Sequence, residues 1–384
     1  MSVPRDNALL LVTRGLRAFG FGFSAVLVSL ALERAGLTPG LIGLALGIGL
    51  AAASLTGLVS AAISARYGRR ATLSLAGLAM AATGLDLSLA TSPVLLVLAG
   101  VTGMLGAASI DLGPFASVEQ AMLAEAIPAT LRNRTFGRYS LLGGLFNAAG
   151  GLAATVAASP RSYFFLYAGI GLTTAALPWL ISQRVEAEKQ APVFGSVRPL
   201  LGLSALFALD SLGGGFVANA VIAYWLHVRF GASPNFLGPT FAGIAVLQAL
   251  SYEASGRLGD RIGLIRTMVF THLPSNVLLL LVPLAPTLAW AVGLLLARFA
   301  LSQMDVPARQ AYVVSIVPPA QRAGAVAVTG AVRGVAQAFG PPLTGLAIGA
   351  AAFGLPFFAG GGLKIVYDLG LFAAFRNRPA EHET

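Results

Sequence analysis

Apolar residues run through this 384-residue chain in long blocks, and polar residues gather in short clusters between them. Blocks this long fit neither the strict alternation of a half-buried strand nor the one-sided stripe of a surface helix. A helix rises about 1.5 Å per residue, so roughly 20 apolar residues cross a hydrocarbon core about 30 Å thick. Twelve blocks reach that length: 8–32, 39–65, 71–90, 93–125, 133–158, 162–182, 198–226, 234–257, 264–283, 287–316, 322–348 and 354–375. The pattern predicts an all-α integral membrane protein of twelve transmembrane helices with no separate water-soluble domain. The longest polar stretch, 183–197, reads as a linker between an amino-terminal bundle, 1–182, and a carboxyl-terminal bundle, 198–384, of six spans each.

Composition agrees. Charged residues are 10% of the chain and hydrophobic ones 56%, with a mean hydropathy of +0.80. A soluble domain carries about 25% charge. Cysteine is absent, which excludes a disulfide framework, a thiolate metal site and a cysteine nucleophile. The first apolar block lacks a small-residue cleavage site and is followed by another span, so it reads as the first helix rather than a cleaved signal.

The net charge of +10 would suit a nucleic-acid binder, but its placement assigns it to topology. With the amino terminus in the cytoplasm, 16 of the 25 basic residues fall in cytoplasmic segments and 3, Arg34, Arg161 and Arg229, on the other side. That asymmetry puts both termini in the cytoplasm. The remaining 6 lie inside predicted helices.

The two bundles are related. Arg66-Tyr67-Gly68-Arg69-Arg70 follows the second block, and Gly256-Arg257-Leu258-Gly259-Asp260-Arg261-Ile262-Gly263-Leu264-Ile265-Arg266 follows the eighth. Their central glycines, Gly68 and Gly263, are 195 residues apart. Glu119-Gln120-Ala121 and Arg309-Gln310-Ala311 correspond at an offset of 190, as do Ile127-Pro128 and Val317-Pro318. Asp111 and Asp305 correspond at 194. Landmarks in one order at nearly one offset mark an internal duplication, the common architecture of secondary transporters.

On these residues the chain resembles the major facilitator superfamily over its whole length. A Gly-x-x-x-Asp-Arg-x-Gly-type loop after the second and eighth helices is that family's pattern. Gly256, Asp260, Arg261, Gly263 and Arg266 occupy the motif positions of the second copy. In the first copy Arg66, Gly68, Arg69 and Arg70 fit, but Ala65 stands in place of the aspartate and Ala61 in place of the first glycine. The resemblance implies that these loops form salt-bridge latches between the halves. The first latch would then be weaker, or take Glu119 or Glu125 as its acid. The fourth-helix arginine motif is not evident. The fifth-helix glycine–proline motif of proton antiporters is reduced to Phe146-Asn147-Ala148-Ala149-Gly150-Gly151, whereas Gly340-Pro341-Pro342-Leu343-Thr344-Gly345 appears in the eleventh.

Ionisable residues inside the spans are costly and so are functional candidates. Arg14 and Arg17 share a face of the first helix, three residues apart. Asp111 and Glu119 lie in the fourth, Asp210 in the seventh, Arg298, Asp305 and Arg309 in the tenth, Arg333 in the eleventh, and Lys364 and Asp368 in the twelfth. The resemblance places the first, fourth, seventh and tenth helices around a central cavity and the third, sixth, ninth and twelfth outside it. Asp305 with Arg309, and Lys364 with Asp368, have the four-residue spacing of direct ion pairs. Asp111, flanked by small residues and Pro114, is the leading proton-carrying carboxylate, with Asp305 and Asp210 behind it. Gly213-Gly214-Gly215 after Asp210 weakens the seventh helix by about 1 kcal/mol per glycine and predicts a break there. Asn219, Tyr224 and Trp225 follow; Asn219 joins the substrate path, and the two aromatics read as interfacial anchors. Arg14, Arg17, Arg298 and Arg333 give positive charge suited to an anionic or zwitterionic solute, unless the acids neutralise them. The three histidines, His227, His272 and His382, read as dispersed and near loops, with no metal-binding spacing and no cofactor expected. No phosphate-binding Gly-x-x-x-x-Gly-Lys-Ser/Thr run or serine–histidine–acid set is present, so neither ATP-driven transport nor an enzyme is expected.

The expectation is a monomeric secondary transporter of a bacterial cytoplasmic membrane, moving a small organic solute, coupled to protons and directed outward. Uptake or uniport of an organic anion is the nearest alternative. A non-transporting receptor or scaffold is the reading from a different class.

Overall fold

The computed structural model follows the apolar blocks helix by helix; it describes residues 3–106, 113–116, 118, 119, 122, 129–156, 159–182, 201–317 and 322–376. The expected linker, 183–197, lies outside them. Among the described residues every regular element is helical. Eight helices are long and apolar enough to cross a membrane. Helices also occupy the places of the other four predicted spans, the fourth only in part among the described residues. The fourth begins as Pro93–Leu98 with a 3-10 turn over Ala99–Thr102. The fifth is Ala129–Ala153 and the eighth Pro234–Ile262. The eleventh is Arg322–Ala338 followed by Gly340–Gly349. Large apolar side chains such as Leu98, Phe165, Leu172, Trp290 and Leu346 face outward, which a bilayer tolerates and water does not.

The duplication read from sequence recurs in backbone geometry. Gly68 links the second helix, Pro39–Tyr67, to the third, Arg69–Leu89, at φ 89° and ψ 160°. Gly263 links the eighth and ninth helices at φ 86° and ψ 159°. This region of backbone space is open essentially to glycine alone. The glycine carbonyl then accepts the same threonine hydroxyl four residues on: Thr72 Oγ1 to Gly68 O, and Thr267 Oγ1 to Gly263 O, both at 2.8 Å.

Helix crossings repeat as well. A Cβ on Gly22 of the first helix would sit 2.0 Å from the Asn147 carbonyl oxygen of the fifth, and one on Gly150 would sit 2.0 Å from Phe19 O. In the other half a Cβ on Gly215 would sit 2.0 Å from Gln337 O, and one on Gly340 2.1 Å from the Gly215 carbonyl carbon. The first and fifth spans thus cross as the seventh and eleventh do, backbone against backbone, with small residues at the contact.

Among the described residues four spans are broken, and in the fourth, seventh and tenth side chains satisfy carbonyls at the break. In the fourth, beside left-handed Gly103 and Gly106, Ser24 donates to Leu105 O at 2.6 Å and Tyr167 to Met104 O at 2.5 Å. The seventh divides into Leu201–Phe216 and Asn219–Phe230, directly after the three glycines, and Thr344 donates to Phe216 O at 3.0 Å. The tenth divides into Leu288–Ser302 and Asp305–Ser315. There Ser251 donates to Ala300 O at 2.6 Å and Ser255 to Met304 O. The eleventh breaks at Phe339.

The halves are fastened on the face opposite the termini. Ser29, near the end of the first helix, donates to Ala220 O at 3.1 Å. Glu33 meets His227 Nε2 at 3.2 Å and accepts from the Tyr224 hydroxyl at 3.5 Å. The second and eleventh spans close beside them, glycine to backbone, at Gly43 with Pro341 and Gly345 with Pro39.

Candidate functional site

The carboxyl-terminal half buries a connected set of charges contributed by five spans. Asp210, about two turns before the break in the seventh, accepts from Lys364 Nζ of the twelfth at 2.6 Å. Its other oxygen lies 3.5 Å from Arg309 Nη1 of the tenth. Arg309 also donates to Asp305 Oδ2 at 2.6 Å, the pair that the four-residue spacing predicts. His272 of the ninth span bonds Asp368 Oδ1 through Nδ1 at 2.8 Å, and its Nε2 lies 3.7 Å from Asp210 Oδ1. Asn276, one turn along from His272, donates to Asp368 Oδ2 at 2.9 Å. Arg333 of the eleventh donates from Nε to Ser211 Oγ at 3.1 Å. All of these except Arg333, which is half-buried, are withdrawn from solvent.

The amino-terminal half holds a simpler set. Arg17 of the first helix is bidentate to Glu119 of the fourth span, at 2.8 and 2.9 Å. The Tyr139 hydroxyl of the fifth span donates to the same carboxylate at 2.5 Å. Arg14 lies over the Tyr139 ring and Arg17 over Phe115, each 4.3 Å from the centroid. Cation–π contacts of this kind strengthen when desolvated.

The two sets are pseudo-symmetric with their charges exchanged. Gly22 and Gly215 fix an offset of 193 between the first and seventh spans, and that offset carries Arg17 onto Asp210. The offset of 190 carries Glu119 onto Arg309. The base therefore sits on the first span and the acid on the fourth, whereas the acid sits on the seventh and the base on the tenth. One bridge joins equivalent helices in each half with opposite polarity.

Several expectations need correction. Glu119 is wholly buried against Arg17, which removes it from any latch at the loop surface. Lys364 and Asp368 do not pair with each other; Lys364 goes to Asp210 and Asp368 to His272 and Asn276. The inner face of the twelfth span is therefore part of the charged centre. His272 lies mid-helix and buried, not near a loop. Its place in the middle of the block 264–283, with Asn276 one turn on, was the signal in the sequence. Tyr224 and Trp225 are buried rather than interfacial: Tyr224 reaches Glu33, and the Trp225 indole donates to Phe353 O at 2.8 Å. Asn219 is half-buried at the start of the second piece of the seventh span. Asp111 lies outside the described residues.

In the loop copies, Arg66 is exposed over Tyr67, Arg69 is buried, and Arg70 donates to Ile181 O at 3.3 Å. Gly256 and Asp260 lie in the last turns of the eighth-span helix, and Arg261 and Arg266 flank Gly263, both exposed.

Among the described residues, the spans hold six bases at depth, Arg14, Arg17, Arg298, Arg309, Arg333 and Lys364, and five acids, Glu119, Asp210, Asp305, Asp368 and, half-buried in the third span with Oδ2 unpartnered, Asp86. Arg298 stands out among the bases. It is 5% exposed, its guanidinium stacks 4.6 Å from the Phe299 centroid, and Nε and Nη1 have no hydrogen-bond partner. A guanidinium is a fork shaped for carboxylate or phosphate.

Comparison with known proteins extends what the geometry implies. A protein of Saccharomyces cerevisiae named "Uncharacterized membrane protein YJR124C" is 25% identical over 421 residues, covering 97% of this chain and 94% of its own length. The crystal structure of a D-xylose–proton symporter superposes with a TM-score of 0.72 at 16% identity, covering 95% of this chain and 97% of that one. The crystal structure of the nucleoside transporter NupG does so with a TM-score of 0.73 at 14% identity, covering 98% and 100%. At those identities the likeness shows the fold. The sequence model of the Major Facilitator Superfamily matches residues 10–211 and again residues 203–384, one match per six-span half. This multi-pass membrane protein, with its duplicated bundle and its charged centre, belongs to the Major Facilitator Superfamily, a family of transporters.

Proposed function

We propose that the chain moves a small organic solute across the membrane by alternating access, coupled to protons. The observation that carries this reading is the buried network around Asp210. One carboxylate, in the half-helix that leads to a break in the seventh span, is shared by bases on the tenth and twelfth spans and faced by an imidazole on the ninth. A network held by several spans can be re-paired when those spans move, and a proton or a charged solute can bias which pairing holds. With the termini in the cytoplasm of a bacterial cell, the fastening at Glu33, Tyr224 and His227 closes the outer face, and the solute path opens inward. The loop copies at Gly68 and Gly263 would latch the inner face in the opposite state. Export is the direction we favour, on the family resemblance alone, and one chain suffices for the pathway.

A second reading rests on Arg298. A buried guanidinium with two nitrogens that lack hydrogen-bond partners favours an anionic solute, and uptake or uniport of an organic anion would use it.

The test is solute-driven proton movement in proteoliposomes, with a panel of organic anions, amines and hydrophobic toxicants. Asp210→Asn and Asp111→Asn should each abolish proton movement triggered by the active compound. Solute flux with no proton movement would refute coupling, and no flux of any compound would favour a receptor or scaffold. Arg298→Met should abolish flux if the active compound is an anion and spare it if the compound is a cation.

A further inference from the structure

We infer that His272 is the proton-binding group of the carboxyl-terminal half. The inference rests on the proton-coupled reading above. It assigns the proton to a side chain outside the four spans that line the cavity.

The Asp368 carboxylate sets the imidazole's roles. Nδ1 lies 2.8 Å from Asp368 Oδ1 and 3.1 Å from the Asn276 amide nitrogen; an ionised carboxylate can only accept, whereas the amide has Asp368 Oδ2 at 2.9 Å to donate to, so Nδ1 carries a hydrogen toward Asp368. The neutral ring then has its lone pair on Nε2. That nitrogen faces Asp210 Oδ1 at 3.7 Å, again an acceptor. Two acceptors face each other across a gap longer than a hydrogen bond, and a proton on Nε2 would turn that contact into an ion pair. Asn276 holds the far oxygen of Asp368 at 2.9 Å and keeps the carboxylate aimed at the ring. The Tyr367 ring packs edge-on at 5.8 Å, which fixes the imidazole plane.

Charge favours the same assignment. Asp210, Asp368 and Lys364 form the immediate surroundings, two acids and one base. With a neutral imidazole this quartet carries one net negative charge, and a proton on Nε2 brings it to zero. The tenth span contributes Arg309 and Asp305, which pair at 2.6 Å, and Arg298. The eleventh contributes Arg333, bonded to Ser211, the eighth Tyr252, bonded to Gln303, and the twelfth Tyr367. Arg309 and Asp305 neutralise each other, and Arg298 and Arg333 are the bases left over to meet a solute.

Coupling follows from the sharing of Asp210. While the imidazole is neutral, Asp210 draws on Lys364 at 2.6 Å and Arg309 at 3.5 Å. An imidazolium adds a third cation, and of the two bases already on Asp210 the more distant, Arg309, is the one to yield. Arg309 keeps Asp305, so releasing it costs little. A proton on the ninth span thus loosens the bridge between the seventh and tenth, about two turns before the break at Val217 and Ala218.

The experiment uses the full-length protein in proteoliposomes together with nuclear magnetic resonance of the ring. In the His227→Gln, His382→Gln background His272 is the one remaining imidazole. Labelled at both ring nitrogens, it should show the Nδ1–H tautomer when neutral and convert to imidazolium on acidification. Asp368→Asn should shift that conversion. In His272→Gln the ratio of protons to solute moved should fall at least tenfold, a ratio that does not depend on how much variant is active. An unchanged ratio would overturn the inference while leaving proton coupling intact. If the wild-type protein moves solute without protons, proton coupling falls and the resonance decides the site. A ring that stays neutral throughout, or titrates identically in Asp368→Asn, would overturn it.

Discussion

Glu119→Leu should strand Arg17 inside the amino-terminal bundle. Arg17 is 1% exposed, and both of its bonds to Glu119 are lost together with the acceptor of the Tyr139 hydroxyl. Removing one partner of a buried ion pair costs about 3–5 kcal/mol, and an orphaned buried hydroxyl adds about 1 kcal/mol. The sum is roughly 4–6 kcal/mol; at about 2 °C per kcal/mol for a large domain, the melting temperature in detergent should fall by about 10 °C. Replacing both partners, Arg17→Met with Glu119→Leu, removes the uncompensated charge. An apolar pair in place of a buried ion pair is often neutral or stabilising. The double variant should therefore recover all but the hydroxyl's share, melting within about 2 °C of wild type. The assay is thermal unfolding at one scan rate, followed by size-exclusion chromatography. The reasoning fails if Glu119→Leu melts with the wild type, or if the double variant is as unstable as the single.

Other consequences are simpler to measure. Gly150→Leu places side-chain atoms where a Cβ alone would stand 2.0 Å from Phe19 O, whereas nothing lies within 4 Å of a Cβ on Gly169; Gly150→Leu should abolish monodisperse protein and Gly169→Leu should leave it unchanged. Glu33→Gln weakens the contact to His227, so a cysteine at Ser29, now wholly buried, should react several-fold faster with a water-soluble maleimide. The native chain has no cysteine, so the labelling has no background. An unaltered rate would mean that Glu33 does not hold the halves together.

Legibility in the sequence followed length scale. The twelve helices were readable because each needs about twenty apolar residues in a row, a local and redundant signal. The break in the seventh span was readable from Gly213-Gly214-Gly215, since consecutive glycines cannot support a helix as other residues do. Asp305 with Arg309 was readable because both lie on one helix face. Lys364 with Asp368 had the same spacing and misled, because Asp210 and His272 on neighbouring spans offered each a better partner. Spacing along one helix shows which pairs are allowed, and only packing shows which are made. Glu119 shows the same limit. Its partner Arg17 is 102 residues away, and no local pattern joins them. The exchange of charge between the halves was half visible, as Glu119 against Arg309 in the repeat, and needed the register of the first and seventh spans at Gly22 and Gly215 to complete it.

Alternation of the two halves is the claim on which the rest depends, and one distance tests it most directly. Ala35 and Ser233 are exposed on the face opposite the termini, one in each half. Spin labels on cysteines at these positions, read by pulsed electron resonance in lipid, should give one short distance in the fastened state. Transported solute or a change of pH should populate a second, longer one. A single distance unmoved by pH and by every compound in the panel would contradict the account and leave a rigid membrane protein with a buried, static charge network.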